Sequence, residues 1–385
     1  MIIFISVYIL VYAALQFLLY LRLRPILPQG PRFKLFLAAW GIIMILTPPL
    51  LRFLDGQGSA PPWAWPGWLA YCWMGFVMVG TYFSVVSWMV GGLTRLFMRR
   101  KSKPLTRGLA FFVALATVCT MFYGFNEANR LKTTRLTLET SRIGDENGPV
   151  KVAFFADLHL GLVRRPQILN QLSRIVKQEK PDLILAGGDI VDGRLPPGYA
   201  SELILREMKA RFGKYAVLGN HEYYVGALQA KEFLKRSGFK VLSNKSVVIN
   251  DIITLVGLDD PGRQGWSPMG VTLVKATIPK GYTILLKHRP VPPPETQGLF
   301  DLLLSGHTHG GQMIPMRYLV RYLYPYVYGL YDLPGGGKVY TTTGAGAWGP
   351  PLRVLAAPEL VLITIKPKPK PDLQAGMPGS SKNLE

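Results

Sequence analysis

Apolar residues run in long unbroken blocks through the first third of the chain and in short ones after it. Four stretches, Ile2–Leu21, Leu35–Leu51, Gly67–Leu93 and Gly108–Phe125, meet the length needed to cross a bilayer, about 17–25 residues. Between Gly56 and Thr94 there is no Lys, Arg, Asp or Glu. The first stretch has neither a basic leading segment nor a small-residue cleavage site, so it reads as a retained span. The second is the weakest, being short with Pro48 and Pro49 near its end. Between spans two and three, Trp63 and Trp65 among prolines fit the aromatic belt at the headgroup level.

After Glu127 the pattern changes. Val152–Ala156, Leu183–Ala186, Ala216–Leu218, Ile253–Val256, Thr283–Leu286 and Leu302–Leu304 are short apolar runs, expected as buried strands. Pro166–Lys180 sets Ile168, Leu169, Leu172, Ile175 and Val176 on one helical face. Such alternation predicts α/β layers. The organisation expected is a four-helix membrane region over residues 1–126, a polar stalk over 127–149, a soluble domain over 150–365 and a disordered tail over 366–385.

Charge adds a direction. The net charge is +21. Residues 1–126 hold eleven Lys and Arg against one acid, Asp55. Four of those bases lie in 22–34 and six in 95–107, but only Arg52 lies in 52–66. The positive-inside rule puts the two basic loops in the cytoplasm, and with four spans the N-terminus and the soluble domain then lie outside. The expectation is an integral protein of a plasma or inner membrane with an extracytoplasmic catalytic domain. Bases flanking apolar runs point to lipid headgroups as partners, and no nucleic-acid partner is expected. Cys72 and Cys119 both fall in apolar runs and supply neither a zinc site nor a disulfide framework.

The chemistry sits behind the strands. Asp157 and His159, Gly188-Asp189, Gly219-Asn220-His221, His288, and Gly306-His307-Thr308-His309 each follow one, and they contain all five histidines of the chain. On extended backbone, Asp157 and His159 would face the same way, as would His307 and His309. Imidazole, carboxylate and amide oxygen together suit Mn, Fe or Zn better than calcium. Asp192 reads equally as a turn residue or as a partner of the site.

In this order, D-x-H, G-D, G-N-H-E, an isolated H and G-H-T-H resemble the signature of the calcineurin-like metallophosphoesterases. The resemblance covers roughly Val150 to Ile365 and implies a double β-sheet sandwich flanked by helices, with two divalent ions (Mn, Fe or Zn) at the strand ends. It implies one ion on Asp157, His159, Asp189 and His309, and a second on Asp189, Asn220, His288 and His307, with Asp189 bridging. His221 is implied as an acid beside the leaving group, and water made acidic by the ions as the attacking group. Glu222 stands where many members have Asp, and little effect is expected from that. G-H-T-H-G-G-Q at Gly306–Gln312, Gly329-Leu-Tyr331 and Gly344–Glu359 are similar to the membrane-associated branch, which holds cell-envelope phosphodiesterases.

The expected function is hydrolysis of a phosphomono- or diester, lipid-linked or part of the cell envelope. If the domain were cytoplasmic, the alternative is an enzyme like UDP-2,3-diacylglucosamine pyrophosphatase. A receptor or scaffold built on a relic domain is the non-enzymatic alternative, and no expected ligand is missing here. Six tyrosines between Arg317 and Tyr331 form either an aromatic cover on the sandwich, the preferred reading, or a membrane-facing surface.

Overall fold

The computed structural model describes residues 2–56, 65–98, 103–161, 166–195, 197–260 and 268–368. Trp63, the bases Arg99, Arg100 and Lys101, and the tail beyond residue 368 lie outside them.

Four helices form the N-terminal third: α1 (Ile2–Leu23), α2 (Pro31–Gly56), α3 (Trp65–Met98) and α4 (Lys103–Ala128). Each is long and apolar enough to cross a membrane. Pro48 and Pro49 lie inside α2 without ending it. The helices meet through Tyr12, Leu19, Ile45, Val77 and Val113, and Trp40 sits edge-on to Trp73 at 5.8 Å. Phe36, Ile42, Phe111, Leu115 and Phe122 point outward and are exposed. Helices apolar on every side suit a lipid surrounding.

The second part contains strands β1 (Lys132–Thr140), β2 (Val150–Phe155), β3 (Leu160–Gly161), β4 (Leu183–Ala186), β5 (Val191–Asp192), β6 (Lys214–Ala216) and β7 (Lys240–Val241). Seven more follow: β8 (Lys245–Ile249), β9 (Ile253–Leu258), β10 (Tyr282–Lys287), β11 (Leu302–Ser305), β12 (Gly329–Asp332), β13 (Lys338–Thr341) and β14 (Glu359–Pro367). Six helices accompany them: α5 (Pro166–Glu179), α6 (Ala200–Glu207), α7 (Asn220–Val225), α8 (Ala227–Arg236), α9 (Pro268–Ala276) and α10 (Met316–Leu323).

Two six-stranded sheets, ordered β1-β14-β2-β4-β6-β7 and β12-β13-β11-β10-β9-β8, stack face to face. In each, the four strands nearest the site run parallel: β2, β4, β6 and β7 in one, and β9, β10, β11 and β13 in the other. Alternation along β2 shows why its run is apolar throughout. Val152 and Phe154 enter the core between the sheets with Leu255, Ile284 and Leu302. Ala153 and Phe155 face the other way, against Leu172 and Val176 of α5 and Phe233 of α8. Strands covered on both faces lose the polar alternation of half-exposed ones.

Two expected boundaries move. The stretch expected as a polar stalk contains β1, an edge strand that pairs in parallel with β14 from Lys132↔Glu359 to Thr140↔Pro367. Its sequence, KTTRLTLET, is half exposed, so it alternates Thr and Leu instead of running apolar. For the same reason β14 continues through Lys366 and Pro367, where the tail was expected to begin.

The two parts share a seam. Leu352, fully buried, packs with Val79 of α3, Met121 and Phe125 of α4, and Met313. The groove is tight: a Cβ on Gly75 would lie 2.5 Å from Leu352 Cδ1 and 3.2 Å from Pro350 Cβ, so the leucine would have to shift. The Arg353 N–H donates to Gly124 O at 3.1 Å.

Candidate metal centre

The loops leaving β2, β4, β6, β10 and β11 converge on one spot where the two sheets meet. They carry Asp157 and His159, Asp189, Asn220 and His221, His288, and His307 and His309 respectively. Asp157 and His159 are not on extended backbone, as expected from their spacing. β2 ends at Phe155, and both residues take the left-handed region, φ 55° and 49°. Asp189 (52°), His307 (72°) and His309 (51°) do the same. Side-chain-bearing residues rarely adopt this backbone, and its concentration on five site residues marks a loop set shaped for function. Backbone bonds hold it: the Asp157 N–H donates to Gly188 O and that of His159 to Asp189 O, both at 3.0 Å.

The side chains face one another closely. His159 Nε2 is 3.1 Å from His309 Nε2, and His309 Nε2 is 3.5 Å from Asp157 Oδ1. His288 Nε2 lies 3.0 Å from Asp189 Oδ2 and 3.2 Å from His307 Nδ1. Three sets have ligand atoms within 4.8 Å of one another: Asp157, His159 and His309; Asp189, His288 and His307; and His159, Asp189 and His221. The first two sets fall on the ligand groups implied from sequence. Glycines make room for the carboxylates, since a Cβ on Gly219 or Gly306 would come within 2.3 Å of Asp189 Oδ1 or Asp157 Oδ2.

These residues fit a pair of divalent cations. Asn220 Oδ1 is buried with no hydrogen-bond partner. So is His159 Nδ1, which lies 3.6 Å from Asp192 Oδ2, beyond bonding range. Buried polar atoms are normally paired, so atoms left over at a cluster of nitrogens and carboxylates are suited to metal. The electrostatics agree. Burial would lower His288, but Asp189 and Asp157 outweigh it and push the ring up to about 10, so the carboxylates draw positive charge inward. Burial, with His288 nearby, pushes His307 down to about 3, which keeps that ring in the neutral form that binds metal.

His221 sits at the rim. Its Nδ1 bonds Asp192 Oδ1 at 2.6 Å, its Nε2 lies 3.9 Å from Asp189 Oδ2, and its N–H donates to Asp189 Oδ1 at 2.9 Å. Burial would lower this imidazole, but Asp189 and Asp192 outweigh it and hold it above its ordinary value. Tyr224 and Trp348 stand edge-on to the ring at 5.2 and 5.9 Å. Of the two readings of Asp192, the structure gives the partner.

Four further residues to which the sequence assigned no role at the site line it. Glu222, fully buried, accepts four backbone N–H bonds from Asp189, Ile190, Val191 and Gly219. Arg353, also fully buried, donates from Nη1 to His309 O at 3.0 Å and from Nε to Gly346 O at 2.9 Å. Tyr324 Oη is 2.8 Å from His307 Nε2. Arg289 bonds Asp260 at 3.1 Å and reaches His307 Nε2 at 3.4 Å. For two of them the sequence does hold a signal: Glu222 closes the G-N-H-E motif directly after His221, and Arg289 follows His288.

The calcineurin-like phosphoesterase family model matches residues 150–311, which hold every residue of the three ligand sets. An uncharacterised metallophosphoesterase of Aquifex aeolicus is 37% identical over 251 residues, 64% of this chain and 96% of its own length. One from Campylobacter jejuni is 31% identical, over 74% of this chain and 78% of the relative. A transmembrane protein with a metallophosphoesterase domain from Danio rerio is 27% identical, over 78% of this chain and 74% of its own. With its ligand sets at the strand ends and membrane-type helices ahead of them, the chain belongs to the calcineurin-like metallophosphoesterases and is a metal-dependent phosphoesterase.

Proposed function

We propose that this enzyme hydrolyses a phosphomono- or diester held at the membrane surface, outside the cytoplasm. One observation carries the reading. Trp348 stands at the rim beside His221, and Leu352, four residues on, is buried against the membrane helices. The mouth of the site therefore borders the bilayer, where lipid-linked or envelope esters lie. α10 supports this. It has no buried residue, and Tyr318, Leu319, Tyr322 and Leu323 are all exposed on it, whereas Tyr326 packs on the core, so the aromatic cover preferred from sequence describes the later tyrosines and not this helix.

Helix direction supports the outward side. The C-terminal ends of α2 and α4 meet the catalytic domain, so the N-terminal ends of both, where the chain carries Arg32 and Lys34 in one and Arg107 in the other, lie away from it. Basic ends favour the cytoplasm.

Asp157, His159, Asp189 and His309 would hold one ion, and Asp189, Asn220, His288 and His307 the other. Bound there, the ions supply Lewis-acid polarisation of the phosphoryl group and acidify water. His221, oriented through Nδ1 by Asp192, gives a proton to the departing oxygen. Arg289 and Tyr324 offer donors for phosphate oxygens on the His307 side.

The test compares a lipid phosphate ester in vesicles with a short-chain soluble analogue, using the metal-loaded full chain. The expected result is kcat/KM higher by about tenfold or more for the lipid. Equal values would reject a membrane substrate. A one-sided reporter fused after Glu385 should signal outside, and an inside signal would move nucleotide-linked lipids to first place.

A further inference from the structure

The last turn of α2 reaches into the catalytic loop. Arg52 Nη2 pairs with Asp192 Oδ1 at 2.9 Å, and Arg52 Nη1 donates to the backbone oxygen of the same residue at 2.7 Å. One turn further, the Asp55 carboxylate accepts the Arg194 N–H at 3.2 and 3.4 Å. Two residues of a membrane helix thus grip the chain on both sides of Gly193. Asp192 Oδ1 is also the oxygen that bonds His221 Nδ1 at 2.6 Å. One carboxylate oxygen therefore joins the membrane helix to the rim histidine.

The pair is not an ordinary surface ion pair, since the side chains are 34% and 14% exposed. Burial would raise Asp192, but Arg52 and His221 outweigh it and hold the carboxylate well below its usual range. A guanidinium can bond carboxylate and carbonyl at once, which fixes both the rotamer and the backbone of Asp192; a lysine ammonium lacks that planar fork. A carboxylate fixed in this way orients the imidazole that it binds.

We propose that Arg52 is a positioning residue for His221, acting through Asp192, so that the membrane bundle is a working part of the catalytic site. This rests on the reading of His221 as the acid that protonates the leaving oxygen. A misplaced acid matters most when the leaving group is poor, because a good one departs without a proton.

The test uses the full chain, purified with its metal, and two diesters: bis-p-nitrophenyl phosphate, with a good leaving group, and diphenyl phosphate, with a poor one. Arg52→Gln is expected to lower kcat on diphenyl phosphate by about thirtyfold and on the nitrophenyl ester by less than about threefold, with bound metal unchanged. His221→Asn should show the same preference, and the double variant should lose little more than His221→Asn alone. Arg52→Lys should fall between wild type and Arg52→Gln, and it carries the comparison if the glutamine variant does not assemble.

Equal losses on both substrates, or losses that multiply in the double variant, would make Arg52 a purely structural contact and overturn the proposal. If His221→Asn shows no leaving-group preference, the acid reading fails and takes the proposal with it. If only the Arg52 variants lack that preference, the acid reading stands and the link to the membrane helix falls.

Discussion

Glu222 Oε2 accepts the backbone N–H of Asp189 at 2.9 Å. The same oxygen takes the N–H of Gly219 at 2.8 Å, while Oε1 takes those of Ile190 and Val191 at 2.7 and 3.0 Å. One buried carboxylate therefore ties the loop after β4 to the loop after β6 and holds Asp189 in its left-handed backbone. Glu222→Gln turns an acceptor oxygen into an N–H₂ donor facing N–H donors. The expected loss is about 1–3 kcal/mol of stability, together with roughly tenfold to hundredfold weaker metal binding. Thermal unfolding and metal titration check it, and a variant with wild-type values on both would show that the four bonds are dispensable.

Asp189 is the residue that both implied ion sites need. Asp189→Asn should abolish turnover of bis-p-nitrophenyl phosphate and lower the bound metal measured by elemental analysis. His221→Asn should slow turnover with metal content intact. Loss of metal in the second variant would move His221 into the ligand set, which its place in the His159–Asp189–His221 group also allows geometrically.

Lys214 gives a pH signature away from the site. Its amine donates to Leu205 O and Ser237 O, both at 2.7 Å, and lies 4.8 Å over the Phe239 ring. Burial, with Lys209 nearby, pushes it down to about 8 from 10.5. Between those values the unfolded chain holds a proton that the folded chain has released, so this group adds stability as pH rises through that window. The melting temperature of wild type minus that of Lys214→Met should therefore grow from about pH 7.5 to about pH 10. A flat difference would mean that the amine keeps its ordinary value.

The exposed face of α10 can be tested without touching the chemistry. Tyr318 and Tyr322 are 70% and 88% exposed. Changing both to Ser should leave hydrolysis of bis-p-nitrophenyl phosphate near wild type and reduce hydrolysis of a lipid ester in vesicles. Unchanged vesicle activity would sink the idea that this helix meets lipid.

Much of this was legible in the sequence, and for physical reasons. A span must be apolar along its whole length, so α1 to α4 announce themselves. Strands covered on both faces, such as β2 and β10, do the same. A strand covered on one side only does not, which is why β1 read as a stalk. The ligands were legible as residue types in order, because metal demands particular atoms. Their geometry was not: Asp157 and His159 meet their partners through left-handed turns, whereas spacing alone favours extended alternation. Least legible were contacts between distant parts. Nothing local to Arg52 announces a bond to a residue 140 positions away, and Glu222 acts through backbone groups that carry no sequence signal.

The join between α4 and β1 sets how far the enzyme can work. Only residues 129–131 separate them, a span of roughly 10 Å at full extension. Even that slack is taken up: Gln171 of α5 accepts the Leu131 N–H at 3.1 Å and donates to Asn129 O at 2.8 Å, and Lys132 N–H donates to Pro358 O. The catalytic domain therefore cannot swing on a leash. Its mouth keeps a constant height and bearing above its own helices, so under the proposed function it would sample what diffuses laterally past rather than what lies at arm's length. Lengthening that three-residue join would turn a fixed instrument into a roaming one.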